Sequence, residues 1–236
     1  MKNINYILSK ISNNKVFQVV TLYLIFLFII IILNQNVQVS DELIKHHSTY
    51  FRDDIVFVYN SLLYSDGLEI HHLDHPSLFT YFFFSFAYKF FNFFEFINFN
   101  GLQGFLESKN IELSLSKLFY ISRLTIQLIS LIIIFLFYEI IKKYCKSGLI
   151  SFFITIILIF SVGFVSASNR IESGLISFFF ALLAFNFFLK FIDNQNKNGL
   201  IYFGLTFLFI FSAMMQKKII FFIFPFLLFS SLFLLE

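Results

Sequence analysis

Two adjacent carboxylates, Asp53 and Asp54, lie in a chain that carries few charges. After them come apolar residues at 55, 58, 62 and 63, a spacing that predicts one apolar face of a short helix. A helix dipole favours carboxylates near its N-terminus, so either acid could be a simple cap. A carboxylate just above a membrane could instead remove a proton from a nucleophile, as general bases do. These residues alone leave both interpretations open.

A histidine-rich run follows, with the sequence His71-His72-Leu73-Asp74-His75-Pro76-Ser77-Leu78. Pro76 favours an extended backbone at His75 and suits the first turn of a following helix. The run is therefore expected to present Asp74 and His75 at a fixed point on the membrane surface. A divalent metal is the alternative interpretation, but no helical metal-ligand spacing is present, so we predict no metal and no cofactor. The pair His46-His47 is expected in solvated loop.

Five more charged residues flank apolar segments on the same expected side of the membrane, namely Arg123, Arg170, Glu172, Lys217 and Lys218. Charges in short turns between membrane helices are common, and Arg123 could simply extend towards the interface. However, cations on the outer side oppose the usual distribution of positive charge. An anionic lipid phosphate is the natural ligand for them.

The elements that must position these residues are membrane helices. Of the 236 residues 58% are apolar and only 13% charged, and the mean hydropathy is +0.83, which indicates lipid as the solvent. One cysteine excludes an internal disulfide, and a net charge of +3 gives no indication of nucleic-acid binding. We predict an all-α transmembrane bundle of six spans: 16–33, 124–141, 148–167, 174–191, 200–215 and 219–235.

The distribution of basic residues predicts that the N-terminus is cytoplasmic. Residues 34–123 then form one long extracytoplasmic loop that holds all five histidines and ten of the fourteen acids. Within it, residues 78–99 are apolar enough to be a seventh span. Their polar residues Lys89, Asn92 and Glu95 recur at a helical spacing, which favours a helix lying in the interface.

This ordered set of motifs resembles the N-terminal half of the GT-C class of membrane glycosyltransferases, closest to protein mannosyltransferase-like and RgtA/B/C/D-like enzymes. The class has an acidic motif on the first outer loop, then a His-Pro motif, an Arg opening span two, an acid opening span four and a later Lys. The matching residues here are Asp53-Asp54, Asp74-His75-Pro76, Arg123, Glu172 and Lys217-Lys218. The resemblance covers about residues 16–225.

The resemblance implies transfer of a sugar from a polyprenyl-phosphate donor to an acceptor at the outer face of the inner membrane. Asp53 or Asp54 would be the catalytic base, and the outer cations would hold the donor phosphate. The sequence departs from the pattern at Glu172, where Asp is usual, and at Ser77, where a second Pro is common. Enzymes of this class have about twice as many spans, so we expect a truncated sequence.

Two other classes of function compete with the enzyme. A transporter or channel subunit needs ionisable residues or helix breaks within its spans, and the sequence pattern predicts neither. In a non-catalytic membrane scaffold, the carboxylate pair and the His-Pro turn would be structural caps. The enzyme alone requires the acids and the outer cations to converge.

Overall fold

The computed structural model describes residues 14–37, 51–71, 77–99, 101–193 and 199–215, with backbone alone at 33–37 and 51–53. Helices account for 84% of this part of the chain, which contains no strand, so the predicted all-α class is confirmed. The described helices are α1 (Lys15–Val37), α2 (Phe51–Ser65), α3 (Leu78–Phe93), α4 (Leu102–Leu106), α5 (Ile111–Cys145), α6 (Gly148–Phe160), α7 (Val162–Asn169), α8 (Gly174–Asp193) and α9 (Gly199–Met214).

Three of these helices, α1, α5 and α8, are long and apolar enough to cross a membrane. Helices α6 and α7 pass the same test together as a bent pair, and α9 is a shorter apolar helix. All of them lie at predicted spans, while the predicted span at 219–235 falls outside the described residues. Large apolar side chains remain exposed on the bundle, for example Val162 and Leu200, as expected where lipid replaces water.

Helix α5 differs from the predicted second span because it begins at Ile111, thirteen residues before position 124. Asn110 caps it by accepting a hydrogen bond from the Leu113 N–H at 3.0 Å, and Glu112 lies in its first turn. Its 35 residues extend roughly 50 Å, about 20 Å more than a hydrocarbon core requires. The last part of the predicted loop is therefore a rigid helical extension of span two.

The predicted span 148–167 is not a continuous helix, since α6 and α7 meet at a 60° bend. Ser161 forms the break, with an extended backbone at ψ 131°. Its hydroxyl donates to the Leu158 carbonyl and also accepts from the Phe164 N–H, so one side chain serves the end of one helix and the start of the next. Local serine chemistry therefore stabilises a break that hydropathy does not reveal.

Ion pairs link the ends of three helices at one end of the bundle. Lys15, at the start of α1, lies 2.9 Å from Glu139 near the end of α5. Lys143, in the last turn of α5, pairs with Asp193, the last residue of α8. The N-terminus of α1 and the C-termini of α5 and α8 therefore lie on the same side, as the predicted topology requires.

Helix α3 has one buried face and one exposed face. Tyr81, Phe84 and Tyr88 are buried, and the helix packs against α2 and α5. Every fourth residue from Leu78 to Phe90 is exposed and apolar (Leu78, Phe82, Phe86, Phe90). With 16 residues the helix is about 24 Å long, shorter than the hydrocarbon core.

Candidate functional site

Helix α2 carries the acidic pair, and it begins at Phe51. Asp53 and Asp54 are therefore its third and fourth residues, inside the first turn and not at the capping position. Val58, Leu62 and Leu63 are buried as the spacing predicts, but Ile55 is 48% exposed, so its predicted place on the buried face is wrong. Phe57 is buried instead, because the buried face is rotated towards it. This orientation leaves the Asp54 side chain only 14% exposed.

Asp54 faces Arg123, with 4.0 Å between Asp54 Oδ2 and Arg123 Nη2. At that distance the two groups form an ion pair without a direct hydrogen bond. The Arg123 side chain is 34% exposed, and its Nε is buried without a hydrogen-bond partner among the described residues. A guanidinium has five N–H donors, so Arg123 can bind a second anion beside the first.

Two contacts fix α3 against α5 close to Arg123. The hydroxyl groups of Tyr88 and Ser122, the residue before Arg123, hydrogen-bond at 2.7 Å in a fully buried environment. Further out, Lys117 donates to the Phe96 carbonyl oxygen at 2.8 Å and lies over the Phe96 ring. Both contacts lie within the six residues before Arg123, so they fix the segment of α5 that leads to it.

Asn60 ties the start of the histidine run to α2. Its Oδ1 accepts a hydrogen bond from the His71 backbone N–H at 3.1 Å, and the side chain is fully buried. The ring of His71 stacks on Tyr59 at 6.4 Å between centroids. Asn60 and Asp54 both lie on α2, so the histidine-rich run begins at a residue that is bonded to the helix carrying the acidic pair. The predicted residues Asp74 and His75 fall outside the described part of the chain.

Arg170 and Glu172 lie between α7 and α8, Arg170 as the first residue after α7 and Glu172 two residues before α8. A 3.0 Å hydrogen bond between Ser130 and Ser168 fixes the end of α7 against α5. Ser130 is two helical turns, about 10 Å, from Arg123 along α5. The end of α7, which Arg170 follows, therefore contacts α5 nearer to Arg123 than to Cys145 at the end of α5, which is 15 residues from Ser130.

The remaining predicted residues are not placed. Lys217 and Lys218 lie outside the described residues, as does the side chain of Asp53. Within the described ranges, no group of three His, Cys, Asp or Glu residues could hold a metal ion. Of the predicted set, the structure brings Asp54 and Arg123 into contact and places Arg170 and Glu172 just after α7, whose end contacts α5 about 10 Å along the helix from Arg123.

Sequence reasoning did not single out Asn60, Tyr81, Tyr88 or Ser122. Asn60 was detectable in principle, because it is an amide among buried positions of α2 that are mostly apolar. The Tyr88–Ser122 pair joins residues 34 positions apart, and no local spacing indicates such a contact.

Together these elements define a helical membrane protein with a carboxylate–guanidinium pair at one end of its bundle. Searches of family models, of curated proteins and of solved structures found no match to this chain.

Proposed function

We propose that this chain is part of a GT-C type glycosyltransferase that moves a sugar from a polyprenyl-phosphate donor to a lipid, glycan or protein acceptor. The reaction takes place at the extracytoplasmic face of the inner membrane, with the N-terminus of the chain in the cytoplasm. The observation that carries the proposal is the pairing of Asp54 with Arg123. It joins a carboxylate in the first turn of α2 to a cation near the membrane boundary on α5.

In the proposed reaction, the acceptor hydroxyl gives its proton to the Asp53 or Asp54 carboxylate, and its oxygen bonds to the anomeric carbon. The bond between that carbon and the donor phosphate oxygen breaks, and the polyprenyl phosphate leaves with the electron pair. Arg123 stabilises the leaving phosphate, because a fixed cation near a low-dielectric membrane attracts developing negative charge strongly. Arg170, Lys217 and Lys218 are proposed to contribute to the same phosphate site.

The ion pair also suggests how the role of Asp54 as a base is linked to the role of Arg123 as a phosphate ligand. Before the donor binds, the Arg123 guanidinium faces Asp54 at 4.0 Å. A donor phosphate, with its three acceptor oxygens, competes for the same guanidinium. Phosphate binding then draws the Arg123 guanidinium from Asp54 towards the donor, next to the reacting sugar.

Transfer of radiolabelled sugar from polyprenyl-phosphate donors by the full-length gene product tests the proposal. Asp53→Asn, Asp54→Asn and the double variant are compared with Asp66→Asn, which removes an exposed acid just beyond the other end of α2. We expect the variant of the true base to lose transfer by at least about a hundredfold, as is usual for a general base. Unchanged transfer in the double variant would refute the mechanism.

The broken span α6–α7 is the feature that comes nearest to a transporter, since transporters place ions at helix breaks. However, the break is formed by Ser161, Val162 and Gly163, none of which is ionisable. Val162 is 84% exposed on the outside of the bundle. The break thus lacks the buried charged groups that transport requires, and the enzyme is the better-supported function.

A further inference from the structure

Three neutral polar side chains, Asn60, Ser77 and Tyr81, form a buried cluster between α2 and the start of α3, here called the Asn60 cluster. They are 0%, 1% and 3% exposed. Burial raises the pKa of the Tyr81 phenol, and the hydrogen-bonding groups of Asn60 and Ser77, which face its hydroxyl, lower it in part. The net upward shift keeps the phenol protonated and able to donate a hydrogen bond at neutral pH.

The cluster contains polar atoms whose hydrogen-bonding capacity is unused. Asn60 Oδ1 is occupied by the His71 N–H, but no described residue hydrogen-bonds to Asn60 Nδ2 or to Ser77 Oγ. Ser77 occupies the capping position of α3, yet its hydroxyl makes no capping bond. Buried polar groups without partners are costly, and native proteins nearly always satisfy them with a protein group, a water or a ligand.

The neighbouring Tyr88–Ser122 pair provides a comparison within the same region. It is also fully buried and neutral, but its two hydroxyls hydrogen-bond to each other, so neither oxygen is without a partner. In the Asn60 cluster, the Asn60 and Ser77 side chains face the Tyr81 hydroxyl, but Asn60 Nδ2 and Ser77 Oγ make no hydrogen bond of normal length and angle with a described residue. The Phe57 ring, 6.0 Å from the Tyr81 ring, packs against it.

We propose that the Asn60 cluster is a binding site for one neutral hydroxyl oxygen, which accepts from Asn60 Nδ2 and exchanges hydrogen bonds with Ser77 and Tyr81. Among the described residues, the cluster contains no charged side chain, which favours a neutral ligand over a phosphate or a metal ion. The oxygen comes either from an ordered water or from a hydroxyl of the donor sugar. Only the sugar source rests on the proposed function.

The test is whether Ser77→Ala raises or lowers the thermal stability of the protein. Removing a buried hydroxyl that has no partner stabilises a protein or leaves it unchanged, whereas removing one that is hydrogen-bonded destabilises it. Thermal unfolding of Ser77→Ala is measured on the full chain in lipid nanodiscs, without ligand. The matched control is Ser122→Ala, which leaves the Tyr88 hydroxyl unpaired and is expected to lower the unfolding midpoint by about 2–4 °C.

A second measurement identifies the source of the oxygen. Binding of a bare polyprenyl phosphate is compared with binding of the same lipid carrying glucose, mannose, galactose or 4-amino-4-deoxyarabinose. If a sugar hydroxyl fills the cluster, at least one glycosylated lipid binds more tightly than the bare lipid. Ser77→Ala and Tyr81→Phe then lose about threefold to tenfold of that preference, while Ser122→Ala keeps it.

Each outcome decides the proposal. A lower unfolding midpoint for unliganded Ser77→Ala identifies an ordered water, and loss of the sugar preference identifies the sugar. If Ser77→Ala is as stable as the parent or more stable, and the sugar preference is unchanged or absent, the site does not exist. Failure of the parent protein to bind any polyprenyl phosphate would overturn the proposed function, and the sign of the Ser77→Ala shift would still decide between a water site and no site.

Discussion

Removing the Asp54 carboxylate should tighten the binding of a bare polyprenyl phosphate, even though it removes a proposed catalytic group. If Arg123 binds the donor phosphate, the phosphate must compete with Asp54 for the guanidinium, because the two residues already form an ion pair at 4.0 Å. Asp54→Asn removes this competitor and leaves the side-chain volume nearly unchanged. The variant should therefore bind the lipid more tightly and transfer less sugar.

The size of the effect follows from the geometry of the pair. Two unit charges at 4.0 Å attract by about 4 kcal/mol at an effective dielectric constant of about 20. Desolvation and screening reduce exposed pairs to about 0.2–1 kcal/mol. With side chains 14% and 34% exposed, the pair belongs near the upper end of that range. About 1 kcal/mol corresponds to a roughly fivefold lower Kd for Asp54→Asn.

The assay is titration of the full chain in nanodiscs with fluorescent polyprenyl phosphate, at low and high ionic strength. Arg123→Gln should weaken binding, and Asp54→Asn should have no further effect in that background, since the competition requires the guanidinium. Asp66→Asn makes the same charge change at the other end of α2 and should leave the Kd unchanged. Weaker binding by Asp54→Asn, or equal tightening by Asp66→Asn, would refute the reasoning.

Three further predictions concern the bundle itself. Cys145, exposed at the end of α5, should react with a membrane-impermeant maleimide only after cells are permeabilised, and labelling of intact cells would contradict a cytoplasmic N-terminus. Gly101→Ala would place a methyl group against the Asp66 carboxylate, so it should lower the free energy of unfolding by about 0.5–2 kcal/mol. If the clash is the cause, the same change in an Asp66→Ala background should leave the free energy of unfolding unchanged. Tyr138→Phe removes a buried hydrogen bond to Gln18 that joins α1 to α5, and should cost about 1 kcal/mol; an unchanged unfolding midpoint would contradict that link.

Hydropathy and local spacing predict the helices but not their contacts. The positions of α1, α8 and α9 follow from long apolar runs, and the start of α2 follows from acids placed before an apolar face. The early start of α5 was missed because residues 111–123 are only moderately apolar and depend on the Asn110 cap and on packing against α3. The break at Ser161 was missed because serine and valine leave the hydropathy of the run almost unchanged. Contacts such as Asp54–Arg123 join distant parts of the chain and require tertiary structure.

The ion pair between Lys143 and Asp193 bears on how the bent pair α6–α7 relates to the membrane. Both residues lie at one end of the bundle, so the chain between them must cross an even number of times. Helix α8 is long and apolar enough to cross once. A re-entrant α6–α7 would contribute no crossing and leave the total odd. The pair therefore favours a broken but complete span, which puts Arg170 on the side away from Lys143.

The same argument applies to α3, on which the location of the proposed site depends. Lys15 and Glu139 are 2.9 Å apart, so the chain between them also crosses an even number of times. Helices α1 and α5 are each long and apolar enough to cross once. With those two crossings, a third by α3 alone would place these two side chains on opposite faces of the membrane. A compensating crossing by α2 would bury Arg52, Asp53 and Asp54 in lipid, at a cost of several kcal/mol. The geometry thus favours an α3 that lies along the membrane face opposite Lys15 and Glu139, with Asp54 and Arg123 at that surface.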